Sequence, residues 1–561
     1  MAGFSIRRVE TSKSFPNVRG LWGISAPYYS PKLNSAARMV PGTHWDSGLK
    51  AHVGYADAIE QVVYRIREMG LRCEDGPVNE RDWRVNIPVS YDQARDYQKL
   101  GIDFLIANAS SGALLADDMG LGKSLEITKA CRALRRKTII VCPAHVRGTW
   151  ERPKGFFDPA DKGGELAKWW PDAVVAAPYG VKPKGLIDPA ANVVVLHYDI
   201  IHAWVEELLK WVGDESFTIA FDEIHVLLNP TSRRSKACRA LAHLAAGRMG
   251  ATGTPPTDRV KDLYNVVDTL SPGRFGDFFP YAIRHCAAHK ADVRGPSGTT
   301  QTVWLFDGRS NLPELRTRIE WFTLRRTKRE VLKELPALTR EIVDIEIKAD
   351  SRATVNARVV GDKRRMRAAL DAAADGKLKS VISRCRNHLE QGQRIVVGTY
   401  RREVCEKIAD ALSEIAPTEF IHGGVALPRR GKIVDKLNKT EGACALVANI
   451  DATSTGIDFT FASRMVIAEL VWETREMSQF ESRVHRYGAK EPVAIEYIIA
   501  RGTGDELILH AVINKLDTFA QLIEKDGGDG LKNDLAGTSK EDEGLSRLAA
   551  ALKKMGKRQA A

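Results

Sequence analysis

Short apolar runs alternate with longer stretches of helical periodicity over most of the chain, starting near residue 86. The first series contains strand candidates at 138–142, 193–197 and 217–221. After a charged helical connector, a second series contains strand candidates at 394–397, 445–449, 465–468 and 495–499. Strands that alternate with helices are typical of parallel sheets covered on both faces. The pattern therefore predicts an α/β fold with two tandem, doubly wound parallel-sheet lobes.

The two ends of the chain depart from this alternation. Residues 1–85 are rich in Trp, Tyr, Gly and Pro and contain one amphipathic helix candidate at 56–69, which predicts a small N-terminal α+β domain. We expect the first lobe over 86–345 and the second over 346–525. Residues 526–561 are rich in Gly and Asp and should form a flexible tail. Its basic segment at 545–558 is either solvated or a helix that contacts DNA or a partner.

Composition adds a preference for anionic partners. The 561 residues include 83 Lys and Arg against 71 Asp and Glu, a net charge of +12, which favours polyanions such as nucleic acid. The eight cysteines form no C-x-x-C pair, and no run of 18 apolar residues occurs. These features predict a cytoplasmic monomer that does not enter a membrane, with protein partners left open. The length favours a bacterial or phage source.

Residues 112–124 predict a nucleoside triphosphate site. An apolar strand candidate runs into a glycine turn, where Gly120 and Gly122 permit backbone amides to face phosphate oxygens. Lys123 can reach the β and γ phosphates, and the Ser124 hydroxyl can hold Mg²⁺. Asp117 stands where the general pattern has its first glycine. The residues expected to bind the triphosphate are Asp118, Met119, Gly120, Leu121, Gly122, Lys123 and Ser124.

Two adjacent carboxylates follow the strand candidate at 217–221. A carboxylate at the C-terminal end of a parallel strand lies beside a phosphate loop. Asp222 can therefore hold Mg²⁺, directly or through water, and Glu223 can orient and deprotonate the attacking water. A strand ending in a charged turn is the alternative, which the upstream glycine turn disfavours. Together the two motifs predict a lobe that hydrolyses ATP with Mg²⁺.

Asp222-Glu-Ile-His225 resembles the DExH box of superfamily two helicases, and its setting, with 118–124 upstream and Asn229-Pro230 downstream, resembles the SWI/SNF-type branch. The resemblance implies two RecA-like lobes. Arg95-Asp-Tyr-Gln98 is similar to the family's adenine-reading segment, which implies that Gln98 reads the base. Residues 138–143 and 251–255 are similar to the next two motifs. They imply that Thr252, Gly253 and Thr254 couple the ATP site to the DNA groove.

Residues 479–488 resemble the family's Q-x-x-x-R-x-H-R-x-G motif. Its two arginines, Arg483 and Arg486, are three residues apart and would share one helical face. Such arginines are usually solvated, but the resemblance implies catalytic roles for Gln479, Arg483 and Arg486, with the arginines reaching the γ phosphate. Residues 451–458 stand where the family has a segment ending G-L-N. The role of Asp458 at its end is open.

Residues 324–336 resemble an L-R-R-x-K-x-x-V-L-x-x-L-P run typical of SWI/SNF-type motors. This run either contacts DNA phosphates at the lobe junction or forms a solvated basic helix; its basic residues are Arg325, Arg326, Lys328 and Arg329. Residues 285–289 and 310–315, and loosely the N-terminal region, are similar to the annealing-helicase subfamily with HARP modules. The aromatic residues of that region either stack on exposed bases or form its core; they are Trp22, Tyr28, Tyr29, Trp45 and Tyr55.

The sequence as a whole predicts an ATP-dependent translocase or remodeller that moves on double-stranded or forked DNA, with strand annealing as a further hypothesis. One alternative is a strand-separating DNA or RNA helicase, although no wedge or pin can be identified in the sequence. Another is a nucleotide-dependent DNA-binding scaffold without motor activity. The intact Lys123, Asp222 and Glu223 argue against that scaffold.

Overall fold

Two parallel sheets and two small antiparallel sheets organise the described part of the chain. The computed structural model describes residues 4–16, 18–77, 85–154, 163–183, 187–253, 260–294, 299–347, 363–453, 458–471, 474–486, 488–489, 491–501, 503–506, 508–509 and 512–513. The chain divides into two compact units, the first ending at Thr327 and the second beginning at Lys328. The predicted tail at 526–561 lies outside the described residues.

The N-terminal module is an antiparallel sheet of order β1-β2-β4-β3 with two helices. Its elements are β1 Ser5–Val9, β2 Leu21–Ser25, α1 Pro31–Arg38, β3 Thr43–Asp46, β4 Ala51–Gly54 and α2 Ala56–Glu68. Leu33, Ile59 and Val62 of the helices pack against Ile24 of the sheet. The helix predicted at 56–69 is observed as α2, which ends one residue earlier than predicted.

The rest of the first unit is built on a seven-stranded sheet of order β13-β5-β10-β9-β6-β8-β7, in which every described pairing is parallel. Its elements are α3 Asp96–Asn108, β5 Ala113–Leu115, α4 Lys123–Leu134, β6 Lys137–Cys142, α5 Arg147–Glu151, α6 Glu165–Trp169, β7 Val175–Ala176, β8 Val193–His197, α7 Ile201–Val212, β9 Phe217–Phe221, α8 Arg233–Leu244, β10 Gly247–Ala251, α9 Val260–Leu270, α10 Phe278–His285, β11 His289–Arg294, β12 Thr300–Leu305, α11 Leu312–Ile319 and β13 Thr323–Leu324. Strands β5, β9 and β10 are buried at every position, as expected for a sheet covered on both faces.

A buried ion-pair cluster joins the N-terminal module to this sheet domain. Asp57 of α2 accepts hydrogen bonds from Arg274 (2.8 Å) and from Arg318 (2.8 Å), and all three side chains are almost fully buried. Tyr55 donates to the carbonyl of Pro272 at 3.0 Å, and the Arg274 guanidinium lies 4.2 Å from the centre of its ring. Tyr55 is therefore a core residue, whereas Tyr28, Tyr29 and Trp45 are exposed.

A two-stranded antiparallel hairpin stands apart from the main sheet of the first unit. Strands β11 and β12 pair from His289↔Leu305 to Arg294↔Thr300, and they form a sheet of their own. Most of their described side chains are exposed. Phe279 of α10 packs edge-to-face on Trp304 with ring centroids 5.1 Å apart. The sequence pattern gave no indication of this hairpin, whose short strands lack a regular apolar alternation.

The second unit holds a six-stranded sheet of order β14-β19-β18-β15-β17-β16, again parallel at every described pairing. Its elements are α12 Lys328–Val331, β14 Leu338–Ile345, α13 Lys363–Glu390, β15 Arg394–Thr399, α14 Arg402–Ser413, β16 Thr418–Ile421, α15 Leu427–Lys439, β17 Cys444–Asn449, β18 Arg464–Ile467, α16 Thr474–Glu481 and β19 Val493–Ala500. Separate apolar clusters occupy the two faces of this sheet. The two doubly wound parallel sheets are those predicted.

Strand β14 places the start of the second unit earlier than the expected boundary at 345/346. Residues 338–345 pair with β19 at eight consecutive positions, and the chain divides between Thr327 and Lys328. A strand recruited to a sheet by a partner more than 150 residues away leaves no local sign of which lobe it joins.

Among the described residues, no helix combines the length and apolarity needed to cross a membrane.

Candidate nucleotide-hydrolysis site

Three neighbouring strands of the first sheet bring the predicted hydrolysis residues to one edge. Strand β10 lies between β5 and β9, and all three run parallel, so their carboxyl ends meet at this edge. The phosphate-loop segment follows β5, Asp222 and Glu223 follow β9, and Thr252 and Gly253 follow β10. This is the edge at which parallel α/β sheets bind ligands.

The phosphate loop turns on glycines in the left-handed region. Gly120 has φ 84° and Gly122 has φ 87°, a conformation that side chains other than glycine adopt only with strain. A Cβ on Gly122 would also lie 2.3 Å from the Gln98 amide nitrogen. Helix α4 begins directly after this turn, so its N-terminal amides and positive dipole end face the loop.

Lys123 is held by the loop that it follows. Its ammonium donates to the carbonyl of Asp117 at 2.8 Å and to that of Asp118 at 3.1 Å. The side chain is thereby fixed at the start of α4, where a cation can meet an anion bound by the loop.

Gln98, the predicted adenine reader, contacts the same loop. Its amide nitrogen donates to the carbonyl of Leu121 at 3.0 Å, and its amide oxygen accepts from the backbone of Arg95 at 2.9 Å. Tyr97 also donates to the Leu121 carbonyl, at 3.1 Å. The structure thus places Gln98 against the phosphate loop, and its role toward a base stays a prediction.

The two carboxylates at the end of β9 have different surroundings. Asp222 accepts a hydrogen bond from the indole of Trp150 at 2.8 Å, and burial together with the neighbouring Glu223 raises its pKa. Burial also opposes ionisation of Glu223, but His225, Lys123 and the Gly253 amide outweigh it and lower the pKa of Glu223. Adjacent carboxylates whose environments separate their pKa values are suited to different tasks.

Glu223 stands on a strained backbone that is fixed from two sides. Its φ of 50° is in the left-handed region, which is uncommon for a residue with a Cβ and recurs at functional sites. His225 Nδ1 lies 3.1 Å from Glu223 Oε2 and 2.9 Å from the Thr252 hydroxyl. Thr252 in turn donates its backbone N–H to the carbonyl of Leu115 in β5, at 2.9 Å. The structure therefore connects Glu223 to Thr252 through His225. The coupling role of Thr252 and Gly253 stays a prediction, and Thr254 lies outside the described residues.

A buried charge cluster beneath the phosphate loop was not foreseen from the sequence. Arg326 pairs with Asp117 and with Glu126 of α4, and both carboxylates are fully buried. Burial raises the pKa of Glu126 to about 8, with Arg326 opposing the rise and Asp117 adding to it. Asp117 occupies the first glycine position of the general motif, so the departure from the pattern now has a structural reason: it pairs with Arg326.

The predicted phosphate contacts of the basic run are wrong for Arg326, whose guanidinium is enclosed by carboxylates. Arg325 is also engaged, with the carboxylate of Asp118 at 2.8 Å. Lys328 is largely buried and donates to the carbonyl of His485. Arg329 alone among these four basic residues is exposed. A buried cation satisfied by carboxylates or carbonyls has no capacity left for DNA.

In the second unit, the predicted arginine pair does not lie on a helix. Helix α16 ends at Glu481, and Arg483 and Arg486 follow it outside any helix. Arg483 is buried, which lowers its pKa to about 10. Arg486 pairs with Asp458, so the residue whose role was open is the partner of a predicted arginine finger. Gln479 lies half-buried on α16, and its carbonyl accepts from the Ser482 hydroxyl at 2.8 Å.

The residues of the first unit fit a magnesium-bound triphosphate. A Cβ on Gly122 would meet the Gln98 side chain. Lys123 follows this glycine as the first residue of helix α4, and Ser124 is the second. The Asp222 carboxylate stands at the neighbouring β9 end. Hydroxyl and carboxylate oxygens are suitable Mg²⁺ ligands. These residues have the chemistry that a phosphate loop and a Mg²⁺-binding carboxylate require.

Two family models match overlapping parts of the chain. Residues 97–397 match the family described as SNF2-related domain, and residues 376–488 match the helicase conserved C-terminal domain. The chain is 28% identical over 444 residues to the SWI/SNF-related matrix-associated actin-dependent regulator of chromatin subfamily A-like protein 1 of Xenopus tropicalis, covering 76% of this chain and 44% of that protein. It is 28% identical over 443 residues to the DNA annealing helicase and endonuclease ZRANB3 of Mus musculus, covering 75% of this chain and 40% of that protein.

The chain thus matches less than half the length of these curated relatives. A solved structure, the SWI2/SNF2 ATPase core of Sulfolobus solfataricus in complex with dsDNA, is 20% identical, with a TM-score of 0.37; the match covers 78% of this chain and 98% of that one. The expected bacterial or phage source finds no support among these relatives.

Proposed function

The chain belongs to the SNF2-related domain family, and from this premise we propose that it is an ATP-driven motor that moves on double-stranded or forked DNA. One observation supports the proposal above all others. The phosphate loop and the Asp222–Glu223 pair meet at one edge of a parallel sheet, and a second parallel sheet follows in the same chain with a motif of two arginines. A phosphate loop with a general base and arginine fingers is the equipment of nucleotide hydrolysis.

In the proposed reaction, the first unit binds and orients ATP. The amides of the glycine turn and Lys123 hold the β and γ phosphates, and Gln98 reads the adenine. Ser124 and Asp222 would hold Mg²⁺, which supplies charge neutralisation at the phosphate oxygens. Glu223, kept ionised by His225 and Lys123, orients the attacking water and takes its proton.

The second unit supplies the two arginines. Arg483 and Arg486 stabilise the charge that develops on the γ phosphate, a contribution of roughly 10³ to 10⁵ in rate when such fingers are present. Asp458 holds the Arg486 guanidinium within its own unit. Gln479, four residues before Arg483, belongs to the same motif and is proposed to act with the two arginines.

The net charge of +12 suits a partner that presents a line of phosphates. Contacts to the backbone of a duplex position a protein without reading its sequence. The matched relatives include a DNA annealing helicase by name, and we propose double-stranded or forked DNA as the partner of this chain, with strand annealing as part of the same activity. The proposed protein acts as a monomer.

The β11–β12 hairpin favours a second candidate function, strand separation. The ribbon pairs over six positions outside the main sheet, and its described part is largely exposed. Trp304 and Phe279, which contact each other, expose 38% and 43% of their surface, and aromatic rings of this kind can stack on unpaired bases. The wedge that was not identifiable in the sequence therefore has a candidate. Robust unwinding of a long blunt duplex that is lost on Trp304→Ala would favour this function.

ATPase assays with matched DNA and RNA effectors test the main proposal. Turnover should rise with duplex and forked DNA more than with single-stranded DNA or RNA, because the proposed grip follows an intact double helix. Equal numbers of phosphates are supplied in each effector. A stronger response to RNA, or no response to any nucleic acid, would contradict the proposed function.

A further inference from the structure

The run at 324–336 is anchored to the phosphate loop at its beginning. Arg326 donates its backbone N–H to Asp117 Oδ1 at 2.8 Å, and its Nε lies 3.1 and 3.0 Å from the two Asp117 oxygens. Its carbonyl accepts from the backbone of Asp118 at 3.0 Å. A further guanidinium nitrogen donates to Glu126 Oε2 at 2.7 Å. One arginine thus holds both the entry of the loop and the helix that leaves it.

Arg325 contacts the same stretch from the other side. Its guanidinium donates to the carbonyl of Ala116 at 2.7 Å and lies 2.8 Å from Asp118 Oδ1. Just before Arg325, the carbonyl of Leu324 in β13 accepts a hydrogen bond from the backbone N–H of Ala116 at 2.8 Å, which continues the pairing of β13 with β5. Every residue from Ala116 to Asp118 is therefore bonded to residues 324–326.

The continuation of the same run is anchored to the arginine motif of the second unit. Lys328 donates to the carbonyl of His485, and the His485 ring nitrogen lies 2.9 Å from the carbonyl of Pro336. His485 stands between Arg483 and Arg486 in the sequence. Both ends of the segment 328–336 thus bond to one residue in the turn that presents the two arginines.

We infer that residues 325–336 are a two-ended linkage: Arg326 positions the phosphate loop, Lys328 positions the Arg483–Arg486 turn, and the single residue Thr327 joins the two anchors. The Cα atoms of Arg326 and Lys328 can be no more than about 7 Å apart, because two extended residues span no more than that. Each anchor therefore fixes its own element, and the one residue between them limits how far the two anchors can separate. The effect of the linkage on ATP hydrolysis rests on the proposed function. The two anchors themselves do not, because their hydrogen bonds form without nucleotide.

Hydrogen exchange in the nucleotide-free protein tests the anchors directly. Arg326→Lys keeps the charge, but a lysine cannot bond both carboxylates and the Tyr97 carbonyl at once. The backbone amides of 116–124 should therefore exchange about tenfold faster or more, while those of 481–486 keep their rates. Lys328→Met should do the reverse. If Arg326→Lys does not fold, Arg325→Met, which removes the guanidinium contacts to Ala116 and Asp118, takes its place.

Two control variants separate local positioning from general destabilisation. Arg318→Lys alters another buried arginine of the first unit, which pairs with Asp57 and has no contact with the phosphate loop among those described. Lys333→Met alters an exposed lysine of the same run. Neither should speed exchange at 116–124 or at 481–486 selectively.

Steady-state kinetics with duplex DNA then separate the two anchors. Arg326→Lys should raise the KM for ATP roughly tenfold or more, the usual loss when outer partners of a metal site are removed. Lys328→Met should lower kcat by roughly 10- to 100-fold with little change in KM, as a small misplacement of a catalytic group does. A merely structural role of Arg326 would lower the amount of folded enzyme and leave KM unchanged. For Lys328→Met, kcat is calculated per folded enzyme, measured by circular dichroism, so that a loss of folded protein does not count as a fall in kcat.

The outcomes distinguish the linkage from the proposed function. Wild-type protein without DNA-stimulated turnover, together with the expected exchange pattern, would reject the motor and retain the linkage. Exchange that rises no more than in the controls, or rises everywhere in both variants, would overturn the linkage even in an active motor.

Discussion

Lys123 shows how one side chain serves both the loop and its expected ligand. Its ammonium already bonds the carbonyls of Asp117 and Asp118, and a bound phosphate would compete for the same donors. Glu223 differs from Asp222 in that its charge is supported by His225 and Lys123. The two carboxylates can therefore divide the work of water activation and metal binding.

Lys123→Ala should lower ATP turnover by roughly 10² or more, as removal of a single charge-stabilising donor does. DNA affinity should stay close to that of the wild type, because phosphate-loop and DNA-facing charges are separate sets. ATPase assays and DNA titrations check this. The matched control is Lys210→Ala, an exposed lysine paired only with Glu206 and Glu207 among its described contacts. Turnover of Lys123→Ala at the wild-type rate would refute the loop assignment.

Glu223→Gln should retain ATP·Mg²⁺ binding but stall hydrolysis, because the amide fills the same space without accepting a proton. Asp222→Ala should instead lose Mg²⁺-dependent binding. Titrations with a fluorescent ATP analogue, with and without Mg²⁺, compare the two variants. Equal loss of binding in both would show that the carboxylates do not divide the work.

At the scale of elements, the N-terminal module is part of the first unit rather than a loosely tethered accessory. Helix α2 contributes Asp57 to a buried cluster with Arg274 and Arg318, and Tyr55 bonds the Pro272 carbonyl. Deleting residues 1–85 would leave both arginines buried without their acid. Such a deletion therefore tests stability before it tests any HARP-like role of the module.

Asp57→Ala should destabilise the first unit by about 3–5 kcal/mol, the usual loss when one partner of a buried ion pair is removed. Chemical denaturation followed by tryptophan fluorescence measures the change. Glu68→Ala on the same helix is the matched control, since Glu68 is exposed and should change stability by no more than about 0.5 kcal/mol. A loss of similar size in both variants would contradict the buried cluster.

At the scale of the whole molecule, the excess of basic residues should set the response to salt. Backbone contacts release counterions, and a protein that makes six to ten of them loses roughly 10³ to 10⁵ in affinity between 50 and 200 mM salt. Arg326 and Lys328 are excluded from this set because both are buried in internal bonds. The proposed DNA contacts therefore have to come from other basic residues.

DNA stimulation of the ATPase should fall steeply with salt yet vary little with base sequence. The motor should also displace the third strand of a triplex without unwinding a long simple duplex, because translocation moves the grip while the base pairs stay closed. Gel-based triplex and duplex assays at matched ATP check both results. A base-sequence preference comparable to the salt effect would argue against a backbone-following motor.

The sequence by itself determined the features that depend on local pattern. Strands β6, β8 and β9 of the first sheet and β15, β17, β18 and β19 of the second follow from apolar runs separated by helical periodicity, and the predicted strands at 193–197 and 217–221 have the observed bounds. The motifs around Lys123 and around Asp222 and Glu223 are equally local, because a phosphate loop and a strand-end carboxylate each need specific residue types at short spacing.

Only the tertiary structure decided what each charge faces. Arg326 and Arg329 belong to one basic run, yet one is enclosed by Asp117 and Glu126 and the other is exposed. The acids that pair with Arg326 lie about 200 residues away, as the partner strand of β14 lies about 155 residues away. Local pattern fixes which residues are apolar or charged, whereas the partner of a buried charge or an edge strand is chosen by long-range packing.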